Sequence, residues 1–247
     1  MDAIRQVRAV AKREWKSYFD SPLAYVFIII FLMLAGFFTF SVAGFYESRQ
    51  ASLGPFFTWH PWLYLILVPA VAMRLWAEER RSGTIELLFT LSVTPLQALI
   101  GKFIAAWLFL VLALALTFPV VLTACYLGEP DLGVILSGYL GSALLAGAYL
   151  AVGLFTSAMT RNQVISFILA VVIGLFLVLA GYPPVTDFFT QWAPSGVVEG
   201  IAAVSFMTHY DTLQRGIVDF RDLVYFASVI GFMLFATQWT LRNRTAG

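Results

Sequence analysis

Glu78-Glu79-Arg80-Arg81-Ser82-Gly83-Thr84-Ile85-Glu86-Leu87-Leu88 separates two apolar runs, Phe57 to Ala77 before it and Ile100 to Leu127 after it. A bilayer-crossing helix needs about 20 mostly apolar residues, and each run supplies them. Four adjacent charges between two such runs mark a turn at a membrane surface rather than a loop on a soluble core. The turn carries its own punctuation. Gly83 is placed to end the helix that leaves the first run. Thr84 is placed to cap a short helix through Leu91, with Glu86 near its positive end. Thr94-Pro95-Leu96-Gln97 has the form of a capping box with proline at the first helical position. The segment 78–97 therefore reads as helix, break, short helix, break, helix. Its charges give a partner something to pair with, and Ile85, Leu88 and Phe89 offer apolar anchors.

The rest of the chain agrees with a membrane location. Of its 247 residues 60% are hydrophobic and 12% charged, against about 25% charged in a soluble domain, and the mean hydropathy is +0.85. Six runs read as spans: Leu23 to Gly44, Phe57 to Ala77, Ile100 to Leu127, Val134 to Met159, Val164 to Gly181 and Leu223 to Leu241. None alternates like a barrel strand, so all are read as helices and the fold as all-α. The first run is of span length, follows a polar and basic leader and has no small-residue cleavage site after it, so it reads as a span rather than a signal peptide. With six spans the termini share one side. That side holds twelve of the fifteen Lys and Arg residues, and only Arg49, Arg215 and Arg221 lie opposite. The positive-inside bias then puts both termini in the cytoplasm.

Residues 3–20 read as a helix that does not span. Ile4, Val7, Ala11, Trp15 and Tyr18 form one stripe, and Arg5, Arg8, Lys12 and Lys16 a parallel basic one. This pattern suits a helix in the headgroup layer. Pro22 fits the first turn of the next helix. Pro61 and Pro69 predict kinks in the second span, whose freed carbonyls need donors from neighbours. Two small-residue ladders in the fourth span, Gly138, Ser142, Ala146 and Ala143, Gly147, Ala151, permit close helix approach. In the segment 182–222, Ser195 is placed to cap a short helix too short to cross. The acids Glu129, Asp131, Asp211, Asp219 and Asp222 read as a solvated outer face. His60 and His209 both fall outside, and with no cysteine pair near them they suggest no metal site.

The six-span plan, the leading helix and the Glu78–Leu88 turn resemble the type-2, exporter-like ABC transporter permeases. The stretch from Ser205 through Tyr225, with Tyr210, Arg215-Gly216-Ile217-Val218-Asp219 and Arg221-Asp222, is similar to the branch holding the gliding-motility-associated permease and the permease of nitrous oxide reductase maturation. The likeness covers nearly the whole chain, read as a single domain over 1–247. It implies an elbow helix carrying Arg5, Arg8, Lys12, Trp15 and Lys16. It implies a coupling segment over 78–97 that meets an ABC ATP-binding subunit through Glu78, Glu79, Arg80, Arg81, Gly83, Thr84, Glu86 and Leu88. It implies an outer re-entrant segment over 182–222 with Tyr210, Asp211, Arg215, Gly216 and Asp219. It also implies a second copy as homodimer or a related permease, an extracytoplasmic auxiliary protein as a further partner, and a multi-pass site in the bacterial inner membrane.

The chain has no Gly-rich phosphate loop ending in Gly-Lys-Ser/Thr, so ATP and Mg belong to the partner, and no cofactor, catalytic residue or metal is expected in the chain itself. Lipid is a partner and nucleic acid is not. The middle of each span is nearly free of ionisable groups, which proton- or ion-coupled transport needs. That leaves export of an amphipathic or bulky substrate, or a machine that passes mechanical work to an outer protein without moving a solute. An intramembrane serine protease would need Ser142 paired with His209, which do not share a span, and no Gly-x-Ser-Gly occurs.

Overall fold

The computed structural model describes residues 2–47, 50–83, 94–190 and 194–245, and among these every regular element is a helix. In chain order they are α1 (Asp2–Phe19), α2 (Pro22–Phe37, continued by a π turn over Phe38–Val42), α3 (Gly54–Thr58), α4 (His60–Ala72), α5 (Arg74–Ser82), α6 (Pro95–Ala115), α7 (Phe118–Leu127), α8 (Leu132–Met159), α9 (Gln163–Leu179), α10 (Pro183–Thr190), α11 (Ser195–Ala202), α12 (Phe206–Gln214) and α13 (Phe220–Thr245). The local signals act where they stand. Ser21 accepts from the Leu23 amide with Pro22 in the first turn. Thr94 and Gln97 close a reciprocal capping box, at 3.3 Å and 2.8 Å. Ser195 is not the cap foreseen for α11: the helix begins at Ser195 behind Pro194 and has no side-chain cap.

Four helices among the described residues are long and apolar enough to cross a membrane: Pro22–Val42, Pro95–Leu127, Leu132–Met159 and Phe220–Asn243. Gln163–Leu179 reaches that length only together with Pro183–Thr190, from which it is bent by 64°. Pro183-Pro184 follow α9 closely, and the residue before a proline is driven off helical geometry. The second expected span is likewise not one helix. It is divided at Trp59 and Met73 into α3, α4 and α5.

Helix α8 is the central post. It packs against α4, α5, α6, α9, α12 and α13, and Leu145 through Leu154 are buried without exception. Of the small-residue ladders, Gly138, Ser142, Ala146, Gly147 and Ala151 are buried and Ala143 is half-buried.

Helix α1 packs lengthwise on α6. Val10 lies 2.7 Å from where a Cβ on Gly101 would stand, so only glycine admits it there. Tyr18 stacks on Phe109 with ring centroids 4.8 Å apart. The two contacts are eight residues apart on each helix, so α1 and α6 run side by side in the same direction. The packed face follows the foreseen stripe at Val7, Ala11, Trp15 and Tyr18, all half-buried, and adds the buried Val10, while Ile4 is 80% exposed.

Candidate functional site

Helix α5 carries the first part of the charged turn, and the packing around it decides what those charges do. Its connection to α4 is an interrupted hydrogen-bond ladder. Met73 keeps right-handed helical angles, φ −55° and ψ −26°, yet it lies between the two helices, after α4 stops at Ala72 and before α5 begins at Arg74. The Ser157 hydroxyl of α8 sits between them. It donates to the Met73 carbonyl at 3.0 Å and accepts from the Trp76 and Ala77 amides, each at 3.0 Å. A side chain inserted into the ladder is a recognised cause of a helix break. Ser157 thereby caps α5 from another helix, where its own N-cap offers no side-chain bond.

Two of the four adjacent charges turn inward. Arg80 donates to the Ala158 carbonyl in the last turn of α8, satisfying a carbonyl that the helix end leaves open. Glu79 accepts from Lys102 at 2.8 Å. Lys102 also meets Glu14 of α1 at 3.2 Å and lies 5.3 Å from the centroid of the buried Trp76 ring. Its side chain is 3% exposed. One ammonium thus ties α1, α5 and α6 together. Burial by itself would raise the Glu14 carboxyl, but the adjacent Lys102 ammonium, together with Arg13, holds it below the ordinary value of 4.5. Sequence reading counted Lys102 only as a topology charge. A lysine three residues inside a long apolar run was the available signal.

The other two charges face out. Glu78 is exposed and makes a loose pair with Arg74 at 3.4 Å, and Arg81 is exposed. Gly83 ends α5 in the left-handed conformation, φ 73° and ψ 2°, as its position foretold. Thr84, Glu86 and Leu88 lie outside the described residues, as does the short helix foreseen after Gly83. On α1, Arg5, Arg8, Lys12 and Lys16 are exposed, and Trp15 is half-buried against Phe19 with ring centroids 5.2 Å apart.

At the far end of the bundle the foreseen outer residues separate. Tyr210 is not on the surface: it is 1% exposed, and its hydroxyl donates to the Phe57 carbonyl at 3.0 Å. That carbonyl is the one Pro61 leaves without its helical donor, so the need set by the kink is met from α12. Ser142 donates to the Tyr210 oxygen at 3.0 Å. Asp211 and Arg215 pair with each other at 2.5 Å on the surface. Gly216 turns the chain at φ 90°, and Asp219 accepts from the Arg221 amide at 3.0 Å at the start of α13.

Asp222 is not part of a solvated acidic face. It is buried and meets His209 at 2.6 Å, with Thr212 donating to its other oxygen. The second ring nitrogen of His209 donates to the Ala203 carbonyl at 3.0 Å. Both nitrogens are thus engaged, and Ser142 has Tyr210 as its partner, so no nucleophile–base pair joins the two. His60 has no open face either. It is fully buried among Phe31, Phe56, Phe57 and Tyr64, and it donates to the Phe56 carbonyl at 3.0 Å. Among the described residues no group of His, Cys, Asp and Glu could hold a metal ion.

A family model described as ABC-2 family transporter protein matches residues 48–195, which takes in α3 through α10 and the whole charged turn. None of the curated proteins matches the chain.

Proposed function

The chain belongs to the ABC-2 family of transporter proteins, and from that membership we propose that α5 and the turn beyond it are the coupling segment through which a separate ATP-binding subunit drives this permease. The family makes the chain a membrane permease subunit. The finer reading is ours. Six passages cross a bacterial inner membrane, the two beyond the four long helices being α4 with α5 and α9. Both termini are cytoplasmic, α1 is the elbow helix, and α10 and α11 form the outer re-entrant segment. Two copies, or this chain and a related permease, share a pair of ATP-binding subunits. ATP and Mg are held there, and their work exports a substrate.

One observation carries this proposal: α5 is gripped on its inner faces while Glu78, Arg81 and Gly83 stay exposed at its end. The Ser157 relay, the Arg80–Ala158 bond and the Lys102 pairs join it to α8, α6 and α1. A segment so held moves with the bundle when pushed at its tip, which is what coupling requires. The division of charges sharpens the role of each. Glu78 and Arg81 are the contacts offered to the ATPase, and Glu79 and Arg80 transmit the load.

The test uses the full chain in proteoliposomes with its ATP-binding subunit. Glu78→Lys and Arg81→Glu should leave insertion and stability intact and weaken the subunit's apparent affinity about tenfold, equivalent to about 1.4 kcal/mol. Glu79→Lys should instead destabilise the permease itself. Normal binding and ATPase stimulation by both surface variants would remove the proposal. A second reading is favoured by the exposed apolar residues Phe189, Val197 and Ile201 on α10 and α11: they would seat an extracytoplasmic partner that receives mechanical work with no solute moved. ATP-dependent displacement of such a partner without measurable solute flux would select it.

A further inference from the structure

Helix α8 ends at Met159 and α9 begins at Gln163, so Thr160-Arg161-Asn162 join two apolar helices at one end of the bundle. An open notch of about 370 Å³ lies there, lined by these three residues and by Arg81 from the last turn of α5. Both arginines are exposed, and among the described residues neither guanidinium has a hydrogen bond or an ion pair. Among those residues no carboxylate lines the notch. The acids of α5 are turned elsewhere, Glu78 to Arg74 at 3.4 Å and Glu79 to Lys102 at 2.8 Å. The Ala158 carbonyl at the end of α8 is already taken by Arg80. The connection itself is fixed. The Thr160 hydroxyl oxygen accepts from the Asn162 amide at 3.1 Å, and Asn162 caps α9 through the Val164 amide at 2.9 Å.

The notch thus presents two positive charges with nothing opposing them, which calls for an anion. Arginine forks match phosphate oxygens, and basic pockets between membrane helices suit lipid head groups. The chain beyond Arg161 decides which phosphate fits. Three residues on, an apolar ridge begins on α9 with a spacing of one helical turn. Its members Val164, Ile168, Val172 and Phe176 are exposed by 62%, 52%, 57% and 66%. At 1.5 Å per residue the ridge is about 18 Å long, a little more than half of a hydrocarbon core about 30 Å thick. That is the depth one acyl chain occupies. We infer that the notch holds the phosphate of an anionic phospholipid, with an acyl chain laid along the α9 ridge. A zwitterionic head brings its own ammonium, which would meet Arg81 and Arg161 with no carboxylate between them.

This inference goes beyond the coupling proposal and does not rest on it. It gives Arg161 a ligand where the sequence showed only a topology charge. Arg81 belongs to both readings. A guanidinium carries several N–H donors, so it can meet a lipid phosphate and still face the ATPase.

The test uses the purified full chain, without any ATPase, in phosphatidylcholine nanodiscs doped with a phosphatidylglycerol that carries a diazirine in its acyl chain. Labelling should saturate and map to Ile168 or Val172. Unlabelled phosphatidylglycerol should compete about tenfold better than phosphatidylethanolamine. Glycerol phosphate, which has the head and no chain, should not compete. Arg161→Gln should weaken labelling about fivefold, the equivalent of about 1 kcal/mol for one basic residue at the surface, and Arg81→Gln should do the same. Arg161→Lys, which keeps the charge, should retain most of the labelling. Both arginines are exposed and unbonded, so these variants should fold as the native chain does. Labelling of the exposed Phe232 and Phe235 on α13 should be insensitive to all three. Equal competition by the two lipids would overturn the inference. So would a ridge signal no more sensitive to Arg161→Gln than the signal at Phe232, or a ridge left unlabelled because a second copy covers it. Effective competition by glycerol phosphate would assign the notch to free phosphates and overturn the lipid. Because no ATPase is present, each of these failures leaves the coupling proposal standing, and loss of coupling in the Glu78→Lys test leaves the lipid site untouched.

Discussion

Replacing Lys102 by methionine isolates the ammonium that joins α1, α5 and α6. Methionine keeps most of the apolar stem and removes the charge. What remains is two carboxylates, Glu14 and Glu79, with side chains only 15% and 21% exposed, and no cation between them. Breaking a buried pair by removing one partner costs about 3–5 kcal/mol, chiefly because the remaining charge is stranded. The cation–π contact with Trp76, at 5.3 Å, adds about 0.5–1 kcal/mol. For a chain of this size the main cost corresponds to a fall of about 6–20 °C in Tm. The assay is loss of the monodisperse species after heating in detergent. The structure also requires an asymmetry. The triple variant Lys102→Met, Glu14→Gln, Glu79→Gln removes all three charges and should recover most of the loss, since a buried ionic cluster is often no better than an uncharged one of similar volume. The pH dependence should weaken as well. In the native chain the Glu14 carboxyl is held below 4.5, so its contribution is in full above that pH and is lost as the pH falls through the lowered value. In Lys102→Met only Arg13 still opposes the effect of burial on that carboxyl, so the loss on acidification should shrink. A single variant as stable as the native chain, or a triple variant no better than the single, would refute the clustered role of Lys102.

Ser157→Ala removes the hydroxyl that serves the Met73 carbonyl and the Trp76 and Ala77 amides. It should cost about 1–3 kcal/mol in the same thermal assay, and no loss would mean that α4 and α5 close their own ladder. Gly83→Val puts a branched side chain at φ 73°, a strain of about 1–2 kcal/mol. Because no neighbour lies within 4 Å of a Cβ there, the variant should insert normally and fail chiefly in ATPase stimulation, which reconstituted ATPase rates would read. Tyr210→Phe leaves the Phe57 carbonyl and Ser142 without their shared partner and should lower stability by about 1–3 kcal/mol, measured by the fall in Tm.

How far the sequence could be read depends on the range of each interaction. The Thr94–Gln97 box spans three residues, the Ser21 cap two, and the Gly83 stop depends on one backbone conformation. Such signals lie within one segment and need no knowledge of the neighbours. The same holds for the apolar runs, which dictated an all-helical membrane fold. The proline kinks stood between the two cases: Pro61 announced a carbonyl in need of a donor, but not that Tyr210, 153 residues from Phe57, would supply it.

What the sequence determined alone was helical content, the placement of caps and stops, and the asymmetry of charge. What tertiary structure decided was the direction each polar group faces. Glu78 and Glu79 are adjacent and chemically equal, yet one is exposed and the other is bound to Lys102. Asp219 and Asp222 both begin α13, yet one is exposed and the other is buried against His209. Adjacent helical residues point about 100° apart, so the choice belongs to the helix that packs alongside. For Glu79 that choice was made by α6 and α1, and for Asp222 by α12, across distances in the chain that no local pattern encodes.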